Sequence, residues 1–173
     1  MRSGARIALL LSVVAATIGC DRVTKALAVG HLAGGPDRSY LVDTLRLEYT
    51  ENPGAFLSLG SDLPGWARRA LFVYGTALSL VVISLVALRP SSRSLGALGL
   101  SLIWAGGASN LVDRVARGSV VDFLNVGIGP LRTGIFNVAD LAITLGAFLV
   151  VAGWGFGVRP PRPLRPRRTE AGR

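Results

Sequence analysis

Three aspartates, Asp113, Asp122 and Asp140, fall with the asparagines Asn110 and Asn137 in the stretch GGASNLVDRVARGSVVDFLNVGIGPLRTGIFNVAD at 106–140. An apolar run ends just before it in Leu102, Ile103, Trp104 and Ala105, and another follows it as LAITLGAFLVVAGW. Carboxylates beside segments of this kind are costly to desolvate, which makes them functional candidates. The chemistry open to them is narrow. His31 is the only histidine and Lys25 the only lysine, so no serine or cysteine nucleophile has a ready base. No Cys/His set resembles a metal site, and no glycine-rich phosphate loop is present. Paired carboxylates remain. Two aspartates brought close share a proton, because both cannot stay ionised at short range. The ionised one then acts as base on water while the protonated one polarises a carbonyl. That is amide hydrolysis with neither metal nor covalent intermediate. The separation of eighteen positions from Asp122 to Asp140 permits such a pair without proving it.

The elements that must hold these residues are membrane-grade. The chain has 173 residues, half of them hydrophobic and 17% charged, and a mean hydropathy of +0.50. A single domain of this size could not turn so much apolar surface inward. Four segments approach the roughly 20 residues that cross a bilayer: about 5–29, 66–88, 94–111 and 138–158. The expected fold is an α-helical integral membrane protein, with four transmembrane helices and a small extracytoplasmic β-rich loop domain. Gly96, Gly99, Gly106 and Gly107 in the third span suggest close helix packing.

Charge supplies orientation. Arg2 and Arg6 precede the first span, Arg89 and Arg93 fill the second connection, and six arginines crowd the tail from Arg159. By the positive-inside rule all three groups are cytoplasmic. The outer loops are then about 30–65 and 112–137. Residues 1–158 form the membrane domain, and 159–173 a basic Pro/Arg-rich tail expected to be disordered. A pI near 11.3 could indicate nucleic acid, but the charge lies in juxtamembrane positions, where anionic membrane lipid is the expected partner.

In chain order, Asp21 and Lys25 lie four apart at the end of the first span, in the favourable acid-first order for an ion pair. They either anchor the helix end at the interface or support a neighbouring site. Cys20 reads as a small packing residue. His31 reads as exposed on the first outer loop. Residues 41–49 alternate as a strand, and Asn52-Pro53-Gly54 turns the chain back. Arg68 and Arg69 snorkel at the outer end of an otherwise uncharged second span. Ser119 to Leu124 reads as extended. Asn137 is the expected N-cap of the last helix with Asp140 at N3, a capping-box arrangement that alone would explain Asp140.

These residues also resemble a known family, lipoprotein signal peptidase (signal peptidase II). The motifs occur in the family's order: Asp21-x-x-Thr24-Lys25, Asn52-x-Gly54, Gly106 to Arg114, Val121-Asp122-Phe123 and Phe136-Asn137-x-Ala139-Asp140. The resemblance implies a bacterial inner-membrane aspartyl endopeptidase that needs no cofactor. Its termini would be cytoplasmic and its active site at the extracytoplasmic face. It would cut diacylglyceryl-modified prolipoproteins before the lipidated cysteine and be sensitive to globomycin-type peptide inhibitors. It assigns Asp122 and Asp140 to catalysis, and Asn52, Gly54, Gly106, Asn110, Arg114 and Asn137 to substrate binding. Asp21, Lys25 and Asp113 become structural supports, with Asp113 paired to the adjoining Arg114 or capping the helix end. Ser109 and the Phe56-Leu57-Ser58 order depart from the family pattern.

Two other classes compete. A small proton- or ion-coupled transporter would also bury carboxylates near helix ends, though it would more often carry internal repeats. Thr17-Ile18-Gly19-Cys20 after two arginines and an apolar run also reads like a lipoprotein signal peptide. Three further spans and the lack of a soluble mature domain weigh against that.

Overall fold

The computed structural model describes residues 3–55, 58–87 and 94–155. The basic tail, Arg89 and Arg93 of the second connection, and Phe56 and Leu57 lie outside the described residues. In chain order the elements are α1 (Ser3–Leu32), β1 (Arg38–Tyr40), β2 (Leu45–Asn52), α2 (Gly65–Ala87), α3 (Ser94–Arg117), β3 (Val120–Ile128), β4 (Leu131–Phe136) and α4 (Val138–Gly155). Within α2 the turns widen to π-helical geometry over Arg69–Gly75.

Among the described residues, three helices are long and apolar enough to cross a membrane, over Gly4–Leu32, Gly65–Ala87 and Leu95–Arg117. The apolar part of α4, Val138–Gly153, is shorter. Most of their large side chains face outward, as Leu11, Leu78, Phe148 and Val151 do. A helix apolar all round is what a lipid-facing surface requires.

Backbone proximity joins α3 to α4. A Cβ on Gly99 would lie 2.6 Å from the Gly146 carbonyl oxygen, and one on Gly106 would lie 2.4 Å from that of Ala139. Only glycine permits that approach, which confirms the close packing expected of the third span. It also fixes the height of one helix against the other. Asn110 stands one turn beyond Gly106 on the same face, and is thereby brought level with the start of α4.

The two loops form one structure. β1, β2, β3 and β4 make a single antiparallel sheet in that order, which joins the strand expected in the first loop to the extended stretch expected from Ser119. Val121 and Phe123 alternate onto one face of β3. There they pack on Ala28 and Leu32 of α1, with Leu47, Tyr49 and Val138 around them. Asp122 between them is turned the other way.

Four expectations are corrected. The strand expected over 41–49 starts at Leu45, because Leu41, Val42 and Asp43 all have positive φ and form a turn. The ion pairs of Asp43 with Arg46 and Arg132 hold that turn. The outer loop expected from residue 112 is helical to Arg117, because α3 runs on until Gly118 takes φ +79°. His31 is exposed, as expected, but in the last turn of α1, where its ring meets the Leu27 carbonyl oxygen. Cys20 is exposed on the helix surface instead of packed inside.

Candidate active site

The site lies where the ends of α1, α3 and α4 meet the sheet. On α1 the buried positions are Asp21, Lys25, Ala28 and Leu32, one stripe at helical spacing. Its lower half is ionic. The Lys25 ammonium lies 2.8 Å from an Asp21 oxygen and 2.9 Å from an Asp113 oxygen, and it donates to the Asn110 side-chain oxygen at 2.7 Å. The ammonium thus faces three oxygens, one for each of its protons. The Arg22 guanidinium meets the other Asp113 oxygen at 2.5 Å. Two cations and two carboxylates make this cluster neutral, as burial demands.

Both expectations for these residues are thereby refined. Asp21 and Lys25 are no exposed interface pair, since they are 0% and 2% exposed. Asp113 pairs with Lys25 and Arg22, not with Arg114. Asp21 also accepts the Ala139 backbone N–H at 2.9 Å and the Ser109 hydroxyl at 2.6 Å. It therefore ties α1 to α3 and to the first turn of α4, where peptide N–H groups lack helical partners.

Asp122 and Asp140 are brought into one polar cluster through three amides. The Asn52 amide donates to one oxygen of Asp122 at 3.0 Å, and the Asn137 amide to the other at 2.6 Å. The Asn110 amide donates to Asp140 at 2.9 Å. Asn137 and Asp140 form the expected capping box. The Asn137 side-chain oxygen accepts the Asp140 N–H at 3.0 Å, and Asp140 accepts the Asn137 N–H at 3.2 Å.

What orients these amides is a fixed acceptor at the back of each. The Asn137 oxygen caps α4, so its NH2 must face Asp122. The Asn52 oxygen accepts the Gly54 N–H at 2.9 Å in a tight turn, so its NH2 faces Asp122 and the Ala55 carbonyl. The Asn110 oxygen is held by Lys25, which can only donate, so its NH2 faces Asp140. Three donors are thus aimed at two carboxylates by groups outside the pair.

Burial dominates the electrostatics of Asp122, which is 2% exposed. Desolvation pushes its pKa up to about 6, and the nearby Asp140 charge adds to the rise. The amides of Asn52 and Asn137 and the charge of Lys25 pull the other way. A buried carboxyl that titrates near neutrality is suited to acid–base work.

The remaining sequence candidates surround this cluster. Gly54 is buried under the Ser58–Leu59 backbone, and a Cβ there would lie 2.6 Å from the Leu59 carbonyl oxygen. Gly106 packs against α4 and sets its distance. Arg114 donates to the Gly54 carbonyl at 3.0 Å and lies over the Phe72 ring at 5.7 Å. Both Asp122 and Asp140 are its electrostatic neighbours. Its Nε is buried without a hydrogen-bond partner among the described residues. Sequence reasoning gave no role to Arg22, Phe72 or Ser109. The position of Ser109, three residues after Gly106 on the same helix face, was the available signal for it.

The profile of the Signal peptidase (SPase) II family matches residues 13–155. The lipoprotein signal peptidase of Cronobacter sakazakii is 38% identical over 133 residues, covering 76% of this chain and 79% of that protein. That of Mycobacterium leprae is 37% identical over 158 residues, covering 88% and 74%. A solved bacterial membrane enzyme shares the fold with a TM-score of 0.71 at 23% identity, over 95% of this chain and 97% of that one. With the profile spanning both candidate carboxylates and most of the chain, this protein belongs to the signal peptidase II family of membrane-bound aspartic proteases.

Proposed function

We propose that this chain removes signal peptides from diacylglyceryl-modified prolipoproteins, cutting before the lipidated cysteine, with Asp122 and Asp140 as its catalytic pair. The observation that carries the assignment is the amide network. Three asparagines are each locked from behind so that their donors meet these two carboxylates and no others. In the ground state the pair holds one proton. The ionised member takes a proton from a water as the water oxygen attacks the scissile carbonyl carbon. The protonated member gives its proton to the carbonyl oxygen, forming a neutral gem-diol. Collapse breaks the C–N bond, returns the hydroxyl proton to one aspartate and delivers the other proton to the leaving amine. Asp21, Lys25 and Asp113 hold the amides in place, while Asn52, Gly54, Gly106, Asn110, Arg114 and Asn137 line the substrate side.

Four spans with both termini cytoplasmic complete the reading, and α4 crosses as the shortest. Residues 1–158 act as the membrane domain, with 159–173 as a cytoplasmic tail. The sheet and the pair face outward from a bacterial inner membrane, where a globomycin-type peptide would compete with substrate. The ion-coupled transporter alternative has no support in the family to which the chain belongs.

The test is cleavage of a lipidated prolipoprotein by wild type, Asp122→Asn, Asp140→Asn and the double variant. Each single variant should lose nearly all turnover. The double should be little worse, because groups acting as a unit are not additive. Chelators should leave the rate unchanged. Substantial turnover by a folded single variant would overturn the pair.

A further inference from the structure

Adjoining the catalytic cluster and sharing Arg114 with it, a cleft of about 710 Å³ opens between the outer half of α2 and the end of α3, within the roughly 300–1,000 Å³ typical of small-molecule sites. Its wall carries Arg68, Arg69, Arg114 and Arg117, with Trp66 and Tyr74 at the rim. Four guanidiniums on one cleft repel one another unless an anion is shared among them. No ion pair satisfies any of the four among the described residues. Arg68 makes one long contact to the Ser61 carbonyl at 3.4 Å. Arg69 and Arg117 make no side-chain hydrogen bond among the described residues. Glu51 is the carboxylate whose charge reaches Arg117, but its oxygens are engaged by Tyr49 and Ser119.

The position specifies the anion. Arg68 and Arg69 begin an apolar helix and Arg117 ends another, so the charges stand at one end of the bundle with apolar surface below. Trp66 is 77% exposed and Tyr74 65%, amphipathic rings of the kind that settle at the headgroup level of a bilayer. Guanidinium forks match phosphate oxygens in pairs, while the Val73 and Val115 side of the cleft suits the first methylenes of an acyl chain. We infer that this cleft binds the headgroup of an anionic phospholipid, through Arg68, Arg69 and Arg117, at the rim of the site. The inference does not depend on which carboxylates are catalytic.

Native mass spectrometry of the full chain in detergent tests it, with phosphatidylglycerol and phosphatidylcholine of matched acyl chains, and glycerol 1-phosphate alone. Wild type should retain phosphatidylglycerol at least about tenfold more tightly than phosphatidylcholine, a difference of about 1.4 kcal/mol. Arg69→Gln with Arg117→Gln should erase most of that preference with unchanged melting. Should that variant not fold, brominated phosphatidylglycerol should quench wild-type tryptophan fluorescence by a component that Trp66→Phe removes. Equal retention of both lipids, a preference that survives in the folded double variant, or quenching untouched by Trp66→Phe would overturn the site. Glycerol 1-phosphate binding as tightly as the lipid would make it a free-phosphate site and overturn it equally.

Discussion

Lys25→Met removes the one group that both neutralises the buried acids and orients Asn110. Methionine keeps the unbranched length, so packing is little altered and the charge is what changes. Asp21 retains the Ser109 hydroxyl and the Ala139 N–H, and Asp113 retains Arg22. Even so, the cluster moves from two cations against two carboxylates to one against two, at positions 0–1% exposed. Breaking a buried pair from one side costs on the order of 3–5 kcal/mol. A second loss falls on turnover. Without the ammonium at 2.7 Å, the Asn110 oxygen keeps only the longer Asn137 amide donor at 3.3 Å, and its own amide is held less firmly on Asp140. A hydrogen bond to a charged group is worth about 1.5–3 kcal/mol, or about 10- to 150-fold in rate.

The assay is thermal or denaturant unfolding of the purified protein, with kcat measured well below the melting transition. Adding Asp113→Asn to Lys25→Met restores charge balance and should recover part of the stability, as groups in one network do not add independently. It should recover little of the rate, because Asn110 still lacks its shorter donor, the Lys25 ammonium. Unchanged melting together with kcat within about twofold of wild type would refute both roles of Lys25.

Other outcomes follow from the same geometry. Asp113→Asn alone should keep measurable cleavage in folded protein, since neither carboxylate of the pair contacts it; complete loss at unchanged melting would move Asp113 into the mechanism. Gly106→Ala sets a methyl against the Ala139 carbonyl, where 2.4 Å is available, so it should lower the melting temperature and cut kcat by tenfold or more through displacement of Asn110 (about 1.4 kcal/mol). Asp122 has a native pKa of about 6, raised above an unfolded value near 3.9. Its contribution to stability is therefore present below about pH 4 and lost as pH rises through 6. That loss is about 3 kcal/mol, and a pH series of unfolding on Asp122→Ala should lack that slope. Reporter fusions after Ser58 and Arg132 should report the outside and one at Arg93 the inside; a cytoplasmic signal at Ser58 would overturn the topology.

Some of this was legible in the residues before any coordinates. Asn137 and Asp140 at capping-box spacing, the Asn52–Gly54 turn and the Asp21–Lys25 pair are local patterns, set by i,i+2, i,i+3 or i,i+4 geometry. The glycines of α3 announced close packing for the same reason. Contacts across the chain were not legible. Nothing near Asp113 indicates that its partners are Lys25 and Arg22 on α1, and the adjacent Arg114 was the natural but wrong choice. Successive helical residues point about 100° apart, so Asp113 faces α1 while Arg114 faces Phe72. The strand start was misplaced because Leu41 and Val42 alternate like strand residues, yet they take positive φ in a turn, one of whose partners, Arg132, lies far along the chain.

The direction of the amides is the feature least accessible to sequence, and the one on which the proposed chemistry rests. An asparagine offers two donors or an acceptor according to a rotation of half a turn. If any of the three turned its oxygen inward, it would set a lone pair against a carboxylate. Each is prevented by a different device: a lysine for Asn110, a turn N–H for Asn52 and a helix N-terminus for Asn137. These devices come from α1, the first loop and α4, so the polarity of the site is decided by the assembly of the whole chain. The motifs are spread across the sequence because each supplies the back of a group whose front lies elsewhere. Substitutions at Lys25 or Gly54 that disturb those rear contacts should therefore act on the carboxylate pair without touching it.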